Sequence, residues 1–469
     1  MASHKRGADS LAGIPPLDYI GPIVTEPEPP VPQDPPRTLG SILRSIGPGL
    51  IITANIVGTG ELIMTTKLGA ETGFLLLWFI LFSCFIKVFV QIELGRYSVS
   101  EGLGSLQSLN RLPGPRFRGV SWIVWLWMGM FLGTLFQISG MVVGIADLLD
   151  SLTAPPDRHL WAVLTTASLA VLLAGGRYGP VEKGSMLMVA VFTLSTIAAV
   201  ATLLGSGRIT AGDLGRGLRF SLPGDFTTAF GAFAITGVGA AELIFYPVWL
   251  LEKGYGRKIG PRDDTPQWRD RARGWLRVMR IDAWASMVLY TLATVAFYLL
   301  GAAVLHGHGN VTDATLVDSL SRMYRQSFGT AGLWIFYAGA FMVLYSTAFV
   351  STASYGRLLA DVTGMLGIVP SPTAAVRRRL VRGAVLGISA VLLGLYFLLG
   401  KAVSQVLVGA LAQGVMLPFL GLAALHFRHR GTLPDLRPGR AWTAFLWISV
   451  AAMAAVGIYT AGKPLKLWP

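Results

Sequence analysis

Eleven stretches of mostly apolar residues constrain the fold of this 469-residue chain more than any other feature. Each approaches or exceeds the roughly 20 residues that an α-helix needs to cross a bilayer. The stretches are 46–66, 73–95, 120–149, 159–176, 181–205, 226–251, 281–305, 330–360, 382–400, 402–425 and 441–461. Only 14% of the residues are charged, against about a quarter in soluble domains. The sequence therefore predicts an all-α, multi-pass integral membrane protein of a bacterial-type plasma membrane.

The distribution of Lys and Arg predicts the orientation of these spans. With the N-terminus in the cytoplasm, 28 basic residues fall on the cytoplasmic side and 10 on the other, and Lys87 lies inside the second span. Cytoplasmic loops carry such an excess, so we expect a cytoplasmic N-terminus and a C-terminus outside. The net charge of +14 then needs no nucleic-acid partner. The expected partners are the lipid bilayer and a small cationic substrate, and the oligomeric state stays open.

A short repeat relates the first and sixth spans. Residues 57–63 (Val-Gly-Thr-Gly-Glu-Leu-Ile) and 238–244 (Val-Gly-Ala-Ala-Glu-Leu-Ile) agree at five of seven positions. Because five spans separate them, the two copies enter the membrane from opposite sides, as in an inverted 5+5 repeat. The predicted organisation is a disordered Pro-rich cytoplasmic tail (1–45), two five-helix repeats (46–205 and 226–425) and an additional helix (441–461).

Glycines predict where these two helices are broken. Gly destabilises a helix by about 1 kcal/mol relative to Ala, and the clusters are Gly58, Gly60, Gly237 and Gly239. Unwound backbone at membrane depth is tolerated where it is buried or lines a wet cavity. We therefore expect breaks near 58–60 and 239–241 that cross near the bilayer centre. Carbonyl groups around Val57 and Gly239 would be free to coordinate a cation.

Each break also carries a carboxylate, Glu61 in the first and Glu242 in the second. A charged side chain at the bilayer centre costs roughly 2.5–3.5 kcal/mol on insertion scales. Two of them would repel each other unless a cation, a proton or a hydrogen-bond donor lay between them. They either form a substrate site or cap the N-termini of half-helices. Asn55 and Thr59 flank the first break as candidate oxygen donors.

Spans one to ten resemble the Nramp family of divalent-metal transporters. The residues that carry the resemblance are Gly47-Pro48-Gly49, Gly69-Ala70-Glu71-Thr72-Gly73-Phe74, Leu77-Trp78, Ser404-Gln405-Val406 and Leu417-Pro418-Phe419. The resemblance implies a LeuT-like fold of two inverted five-helix repeats, here followed by an eleventh helix. It also implies a secondary transporter rather than an enzyme, with a divalent metal ion as substrate and no cofactor.

The chain departs from the family's pattern at the metal site. The family's Asp-Pro-Gly-Asn falls on residues 58–61, so Gly58 replaces the aspartate ligand and Glu61 the asparagine ligand. The family's Met-Pro-His falls on 240–242, where Ala240 replaces the methionine and Glu242 the histidine. Gln405 matches a position that contributes to coordination in the family. The acidic pair of the family's proton path falls near Thr134 and Gln137.

These replacements predict a preference for a different cation from that of a site with a methionine ligand. Carboxylate and carbonyl oxygens suit hard cations such as Mg²⁺ or Mn²⁺, whereas a thioether favours softer ones. Loss of the acidic pair argues against proton coupling, although Lys87, Thr134 and Gln137 stay candidates for a coupling role. We expect Mg²⁺ or Mn²⁺ transport by alternating access. The alternatives are a small organic cation or zwitterion carried on the same fold, or a membrane sensor that does not transport.

Overall fold

A computed structural model describes residues 32–58, 60–174, 178–221, 224, 226–307, 311–313, 315–369 and 373–462 of the chain. Thr59, one of the expected oxygen donors, lies outside these residues, as do residues 1–31 of the predicted tail.

The first half of the chain is helical apart from one small hairpin. Its helices are α1 (Leu39–Ser45), α2 (Pro48–Ile56), α3 (Thr66–Thr72), α4 (Leu77–Glu101), α5 (Ser105–Asn110), α6 (Trp122–Asp150), α7 (Arg158–Leu173), α8 (Tyr178–Gly205) and α9 (Ala211–Gly217). A π-helix, Gly60–Thr65, precedes α3. Strands β1 (Arg116–Phe117) and β2 (Val120–Ser121) pair antiparallel between α5 and α6.

The second half is helical throughout its described part. Its helices are α10 (Thr227–Ile235), α11 (Ala240–Glu252), α12 (Tyr255–Ile259), α13 (Pro266–Leu300), α14 (Leu316–Phe328), α15 (Thr330–Met365), α16 (Ala374–Leu399), α17 (Ala402–His426) and α18 (Arg440–Gly462). Two π-helical segments, Gly301–Leu305 and Phe427–Gly431, extend α13 and α17. A 3₁₀ turn, Pro434–Leu436, lies between α17 and α18.

Fewer spans than the predicted eleven meet the length expected of a membrane helix. In the described residues, eight helices are long and apolar enough, or nine if α1 and α2, which meet at 55°, form one bent span. The fourth predicted span is α7, whose 16 residues rise about 24 Å at 1.5 Å per residue. The fifth predicted span coincides with α8 (Tyr178–Gly205), which has 28 residues.

The prediction of a disordered tail over 1–45 is wrong for its described part. Thr38 caps the N-terminus of α1, where its side chain and that of Ser41 bond reciprocally to each other's backbone amides. The backbone of Gln33 is also fixed: its amide donates to the Lys258 carbonyl at 2.9 Å, and its carbonyl accepts from Trp275 Nε1 at 2.9 Å. Thr is a favoured N-cap residue, so α1 begins within the predicted tail.

Helices α4, α13, α15 and α17 surround the two broken helices and set their positions. The start of α2 is fixed by Asp282 of α13, whose carboxylate accepts from the amides of Gly47 (2.9 Å) and Gly49 (2.7 Å). The same carboxylate accepts from the Tyr246 hydroxyl of α11 at 3.1 Å. One buried side chain thus holds the start of α2 and the middle of α11 against α13.

Candidate functional site

The first break separates α2 from the π-helix that continues the span. Helix α2 ends at Ile56, and the Gly58 amide turns back to the Ile56 carbonyl at 2.7 Å. A Cβ atom at Gly58 would overlap the side chain of Thr347 on α15. Glycine is therefore required here by the close approach of α15 to the break.

The second break spans residues 236–239, between α10 and α11. This is earlier than the predicted 239–241, because Ala240 and Ala241 form the first turn of α11 and Gly239 is its N-cap. Alanine is the strongest helix former, so the helix resumes as soon as the glycines end. Gly237 supplies the positive φ of 63° that the reversal needs.

The two breaks touch each other. A Cβ atom on Gly60 would lie 2.7 Å from the Ile235 carbonyl, so the second helix end packs directly on the first break. Alongside, the hydroxyls of Thr65 and Thr236 lie 3.1 Å apart and share a hydrogen bond. The crossing brings the two predicted carboxylates into one buried region.

Glu61 is fully enclosed, and donors from three elements surround its carboxylate. Its Oε1 accepts from the Gly237 amide at 3.1 Å and from the Thr294 hydroxyl of α13 at 3.0 Å. Its Oε2 accepts a longer bond, 3.5 Å, from the Gly58 amide. Glu61 therefore bridges the two breaks through backbone amides, which is the capping arrangement left open by the sequence.

Glu242 lies in the first turn of α11 and is less completely satisfied. Its Oε1 accepts from Asn55 Nδ2 at 2.6 Å, and Asn55 Oδ1 in turn accepts from the Ser351 hydroxyl at 2.8 Å. Within the described residues, Glu242 Oε2 is buried without a hydrogen bond of good geometry, and the donors near the carboxylate are the amides of Gly239 and of Glu242 itself. It faces the N-terminal turn of α11, whose dipole favours negative charge. Asn55 thus connects the first break to the second, and one carboxylate oxygen stays available.

Lys87 of α4 brings a positive charge to the second break. Its side chain is fully buried, and Nζ donates to the carbonyls of Phe233, at 2.6 Å, and of Thr236. The last carbonyls of α10 have no partners within the helix, and their dipoles favour a cation. The charges of Lys87, Glu61 and Glu242 interact. The site therefore contains a cation that belongs to the protein.

Gln405 has no hydrogen bond to either break within the described residues, and its assignment as a ligand stays a prediction. It sits near the start of α17, where its side-chain nitrogen donates weakly to the Leu395 carbonyl at 3.4 Å and its Oε1 is buried without a hydrogen bond. Two turns later, Gln413 does reach the second break: its Oε1 accepts from the Ala241 amide at 2.9 Å. Gln413 therefore joins the candidate site.

The two candidate coupling residues of α6 differ in their relation to the site. Gln137 Oε1 accepts from Gln413 Nε2 at 2.8 Å, so it contacts the site through one intermediary. The Thr134 hydroxyl donates to the Phe131 carbonyl of its own helix at 2.8 Å. Gln137 and Gln413 form a neutral hydrogen-bonded chain from α6 to the second break.

The remaining predicted positions supply backbone or packing. Val57 is a buried residue of the first break, and Ala240 is fully buried at the start of α11. The Gly239 carbonyl already accepts from the Leu243 amide at 3.0 Å, with one lone pair left. Within the described residues, no three His, Cys, Asp or Glu side chains converge. A bound cation would therefore rely on two carboxylates, amide oxygens and backbone carbonyls.

Sequence reasoning missed several polar contacts of the site. These residues are Thr236 of the second break, Thr294 of α13 and Gln413 of α17. Nothing in the sequence distinguished them from ordinary buried polar residues. Span eight, by contrast, shows a cluster of Ser and Thr that could line a path, and Ser346, Thr347 and Ser351 of this cluster contact Ala54 or Asn55 of the first helix.

Comparison with known proteins decides the family. The model of the natural resistance-associated macrophage protein-like family, Nramp, matches residues 49–462. The chain belongs to the Nramp family. Divalent metal cation transporter MntH 1 of Pseudomonas aeruginosa is 22% identical to this Nramp protein over 441 residues, covering 90% of the chain and 91% of the relative.

Solved structures agree with the predicted fold. A mutant of the Eremococcus coleocola manganese transporter matches with a TM-score of 0.68 at 15% identity, covering 93% of this chain and 91% of that one. MhsT, solved with L-phenylalanine, matches with a TM-score of 0.57 at 16% identity, covering 92% and 100%. The prediction of an all-α membrane protein with a LeuT-like fold is confirmed, and so is the resemblance to Nramp.

Proposed function

We propose that this Nramp protein is a secondary transporter that moves a divalent metal cation across the membrane by alternating access. Membership of the family and its similarity to divalent metal cation transporters support metal-ion transport. The observation that carries the proposal is the pair of buried carboxylates at the crossed breaks, where Glu242 Oε2 has no hydrogen bond in the described part of the chain. A buried anionic oxygen without a partner is costly, and a cation would satisfy it.

The donor set favours a hard cation. Glu61, Glu242, Asn55 and Gln413 all offer oxygen, and Ala240 stands where the family has a thioether. Oxygen ligands suit Mg²⁺ and Mn²⁺, and sulfur ligands select softer metals. We expect Mg²⁺ to be bound at least as well as Mn²⁺. The metal is the substrate, and no separate cofactor is proposed.

Transport is proposed to run without stoichiometric proton movement. The positions of the family's acidic pair hold Thr134 and Gln137, neither of which titrates. The chain from Gln137 through Gln413 to the second break offers hydrogen bonds but no carboxylate. Metal uptake should therefore leave the internal pH of a liposome unchanged.

Uptake into liposomes tests both proposals. The purified protein is reconstituted, and Mg²⁺, Mn²⁺ and proton fluxes are followed with internal dyes. The double variant Glu61→Gln, Glu242→Gln should abolish metal uptake. Glu71→Gln, which removes a carboxylate paired with Lys67 outside the site, should keep it. Unchanged uptake by the double variant would refute the metal site, and acidification in step with metal entry would refute uncoupled transport.

One observation favours a second candidate, the transport of a small organic cation. When Lys87 and both carboxylates are all charged, the site carries a single net negative charge. A monovalent cation neutralises that charge, whereas a divalent cation leaves the site with one net positive charge. Uptake of choline with no uptake of Mg²⁺ or Mn²⁺ would select this alternative, and a parent protein that moves none of these solutes would favour the sensor.

The orientation is also proposed: the N-terminus faces the cytoplasm and the C-terminus faces outside. The excess of Lys and Arg on one side supports it. Cys84, the single cysteine of the chain, is buried. A Cys84→Ser background therefore allows new cysteines at the two ends of α13 to be labelled from either side. Labelling of residue 270 from outside intact cells would reverse the orientation.

A further inference from the structure

A cavity of about 320 Å³ opens beside the N-terminal half of α13, at the membrane end predicted to face the cytoplasm. Its charged lining consists of five arginines and one carboxylate: Arg96, Arg273, Arg277, Arg280, Arg437 and Asp435. The formal charge of this lining is +4. We call it the arginine cavity.

The spacing along α13 explains why three of the arginines share one wall. Residues four and three apart lie on the same face of a helix, and Arg273, Arg277 and Arg280 follow this spacing. Arg96 enters from α4, and Arg437 comes from the segment that follows the 3₁₀ turn before α18. The cavity therefore lies where three separate parts of the chain meet.

The carboxylate of the lining is already occupied. Asp435 Oδ2 lies 2.9 Å from Arg269 Nη1 and 3.8 Å from Arg273 Nη2. Among the described residues, Arg277 and Arg280 have no ion pair at all. Arg437 uses its Nε to donate to the Thr432 carbonyl at 2.8 Å. Arg273 also pairs with Asp270 at 3.0 Å. Three of the five arginines, Arg277, Arg280 and Arg437, thus lack a carboxylate partner among the described residues.

Arg96 shows that the shortage of negatively charged partners also affects a buried arginine. It is 3% exposed, and its Nη1 donates to the Leu436 carbonyl at 2.9 Å. Its Nη2 is buried without a hydrogen bond in the described part of the chain. Its nearest carboxylate, Glu93, at 3.4 Å, also lies 3.5 Å from Arg428 Nη1 and accepts from Trp442 Nε1. One carboxylate therefore serves two buried guanidinium groups.

We propose that the arginine cavity binds a phosphate-bearing anion, supplied either by the headgroup of an anionic phospholipid or by a soluble phosphate compound. Guanidinium groups bind phosphate oxygens in a planar, bidentate geometry. Juxtamembrane basic clusters on the cytoplasmic side attract anionic lipids. A bound phosphate would neutralise repulsion among the arginines and connect α4, α13 and the segment before α18. This proposal does not depend on the transported substrate.

Binding to the full-length protein in neutral detergent tests the proposal. The probes are dioctanoyl phosphatidylglycerol, its zwitterionic counterpart dioctanoyl phosphatidylcholine, and inorganic pyrophosphate, each titrated by microscale thermophoresis. The test variant is Arg277→Gln, Arg280→Gln, since neither side chain has an ion pair with any residue that the structure describes, and their loss should not disturb folding. The matched control is Arg378→Gln, Arg379→Gln, which removes two charges from exposed arginines on the same predicted side. Melting temperatures verify that both variants stay folded.

We expect an anion to bind the parent and the control, and to bind the test variant at least about tenfold more weakly, because the variant lacks two guanidinium donors of charge-assisted hydrogen bonds. Binding of phosphatidylglycerol without pyrophosphate assigns the site to lipid, and binding of both assigns it to phosphate compounds in general. The proposal is overturned if neither anion binds, if phosphatidylcholine binds as tightly as phosphatidylglycerol, or if both double variants weaken binding equally.

Discussion

The two helix breaks carry the same sequence motif but do different chemistry. At the first break, Glu61 is surrounded by donors from Gly237, Thr294 and Gly58, so its charge holds the crossing together. At the second, Glu242 keeps one oxygen without a hydrogen bond in the described residues, while Lys87 occupies the carbonyls at the end of α10. Pseudo-symmetry in sequence therefore does not imply equal roles. Glu61 is surrounded by three hydrogen-bond donors, whereas Glu242 keeps more capacity to bind a ligand.

The largest expected effect comes from Glu242→Gln. This change removes the one carboxylate with a free oxygen, and affinity for Mg²⁺ and Mn²⁺ should fall by more than the roughly 10- to 100-fold that groups behind a metal ligand contribute. Glu61→Gln should weaken binding less and lower the melting temperature more. Isothermal titration and thermal unfolding separate the two effects.

The proposed difference between the two breaks is refuted if Glu242→Gln and Glu61→Gln lower the metal affinity equally and lower the melting temperature equally. Glu71→Gln serves as the control for removal of one carboxylate. In a double-mutant cycle, the combined loss from both sites should be smaller than the sum of the single losses, because interacting groups are not additive.

Lys87→Met should raise affinity for a divalent cation by about tenfold, because it removes a unit of like charge from a buried site of low dielectric. The same change leaves the Phe233 and Thr236 carbonyls without their donor. The free energy of unfolding should therefore fall by about 1–3 kcal/mol. Titration with Mg²⁺ and thermal unfolding measure the two changes.

Lys67→Met, which removes a partly exposed lysine from α3, is the control. A divalent affinity that is unchanged or lower in Lys87→Met would mean that the ammonium supports the cation site, and the asymmetry between the breaks would lose its electrostatic basis.

Two glutamines of α17, Gln405 and Gln413, test which position on this helix supports metal binding at the second break. Gln413→Leu removes the acceptor of the Ala241 amide and should weaken metal binding several-fold, since the second break loses a buried hydrogen bond worth about 1 kcal/mol. Gln405→Leu changes the same residue type two turns away and should leave binding as it is. If Gln405→Leu has the larger effect in the same titration, the position predicted from the sequence is the correct one.

The smallest effect is expected for Ala240→Met, which offers a thioether at the position where the family has one. It should shift the ratio of Mn²⁺ to Mg²⁺ affinity upward by about twofold to fivefold, since sulfur favours the softer ion. Ala240 is fully buried, so overpacking should also cost about 1–3 kcal/mol of stability. Ala240→Leu has a similar volume without sulfur, and an equal shift in that variant would exclude a role for the thioether.

The sequence predicted the helical breaks and the convergence of Asn55, Glu61 and Glu242 because glycine and buried carboxylates carry strong local costs. It misplaced the second break by about three residues, since two alanines restart the helix immediately after Gly239. Gln405 and Gln413 are both buried residues of one helix, and only the packing of α17 decides which of them meets Ala241.

The position of Lys87 was likewise beyond sequence reasoning. A lysine within a 25-residue membrane helix can extend toward the interface or turn inward. The inward position depends on carbonyls 146 and 149 residues away in the chain, which become available only after α10 ends at Ile235. A contact of such long range leaves no local pattern.

Asp282 has a consequence for how this protein opens. The carboxylate holds Gly47 and Gly49 at the start of α2 and the Tyr246 hydroxyl of α11 at the same time. Moving α2 away from α13 would break two of these bonds and moving α11 away would break one, each worth about 1.5–3 kcal/mol. The resistance that Asp282 offers to opening is therefore unequal, and it is larger for α2. We expect α11 to separate from α13 at this point at a lower cost than α2 does.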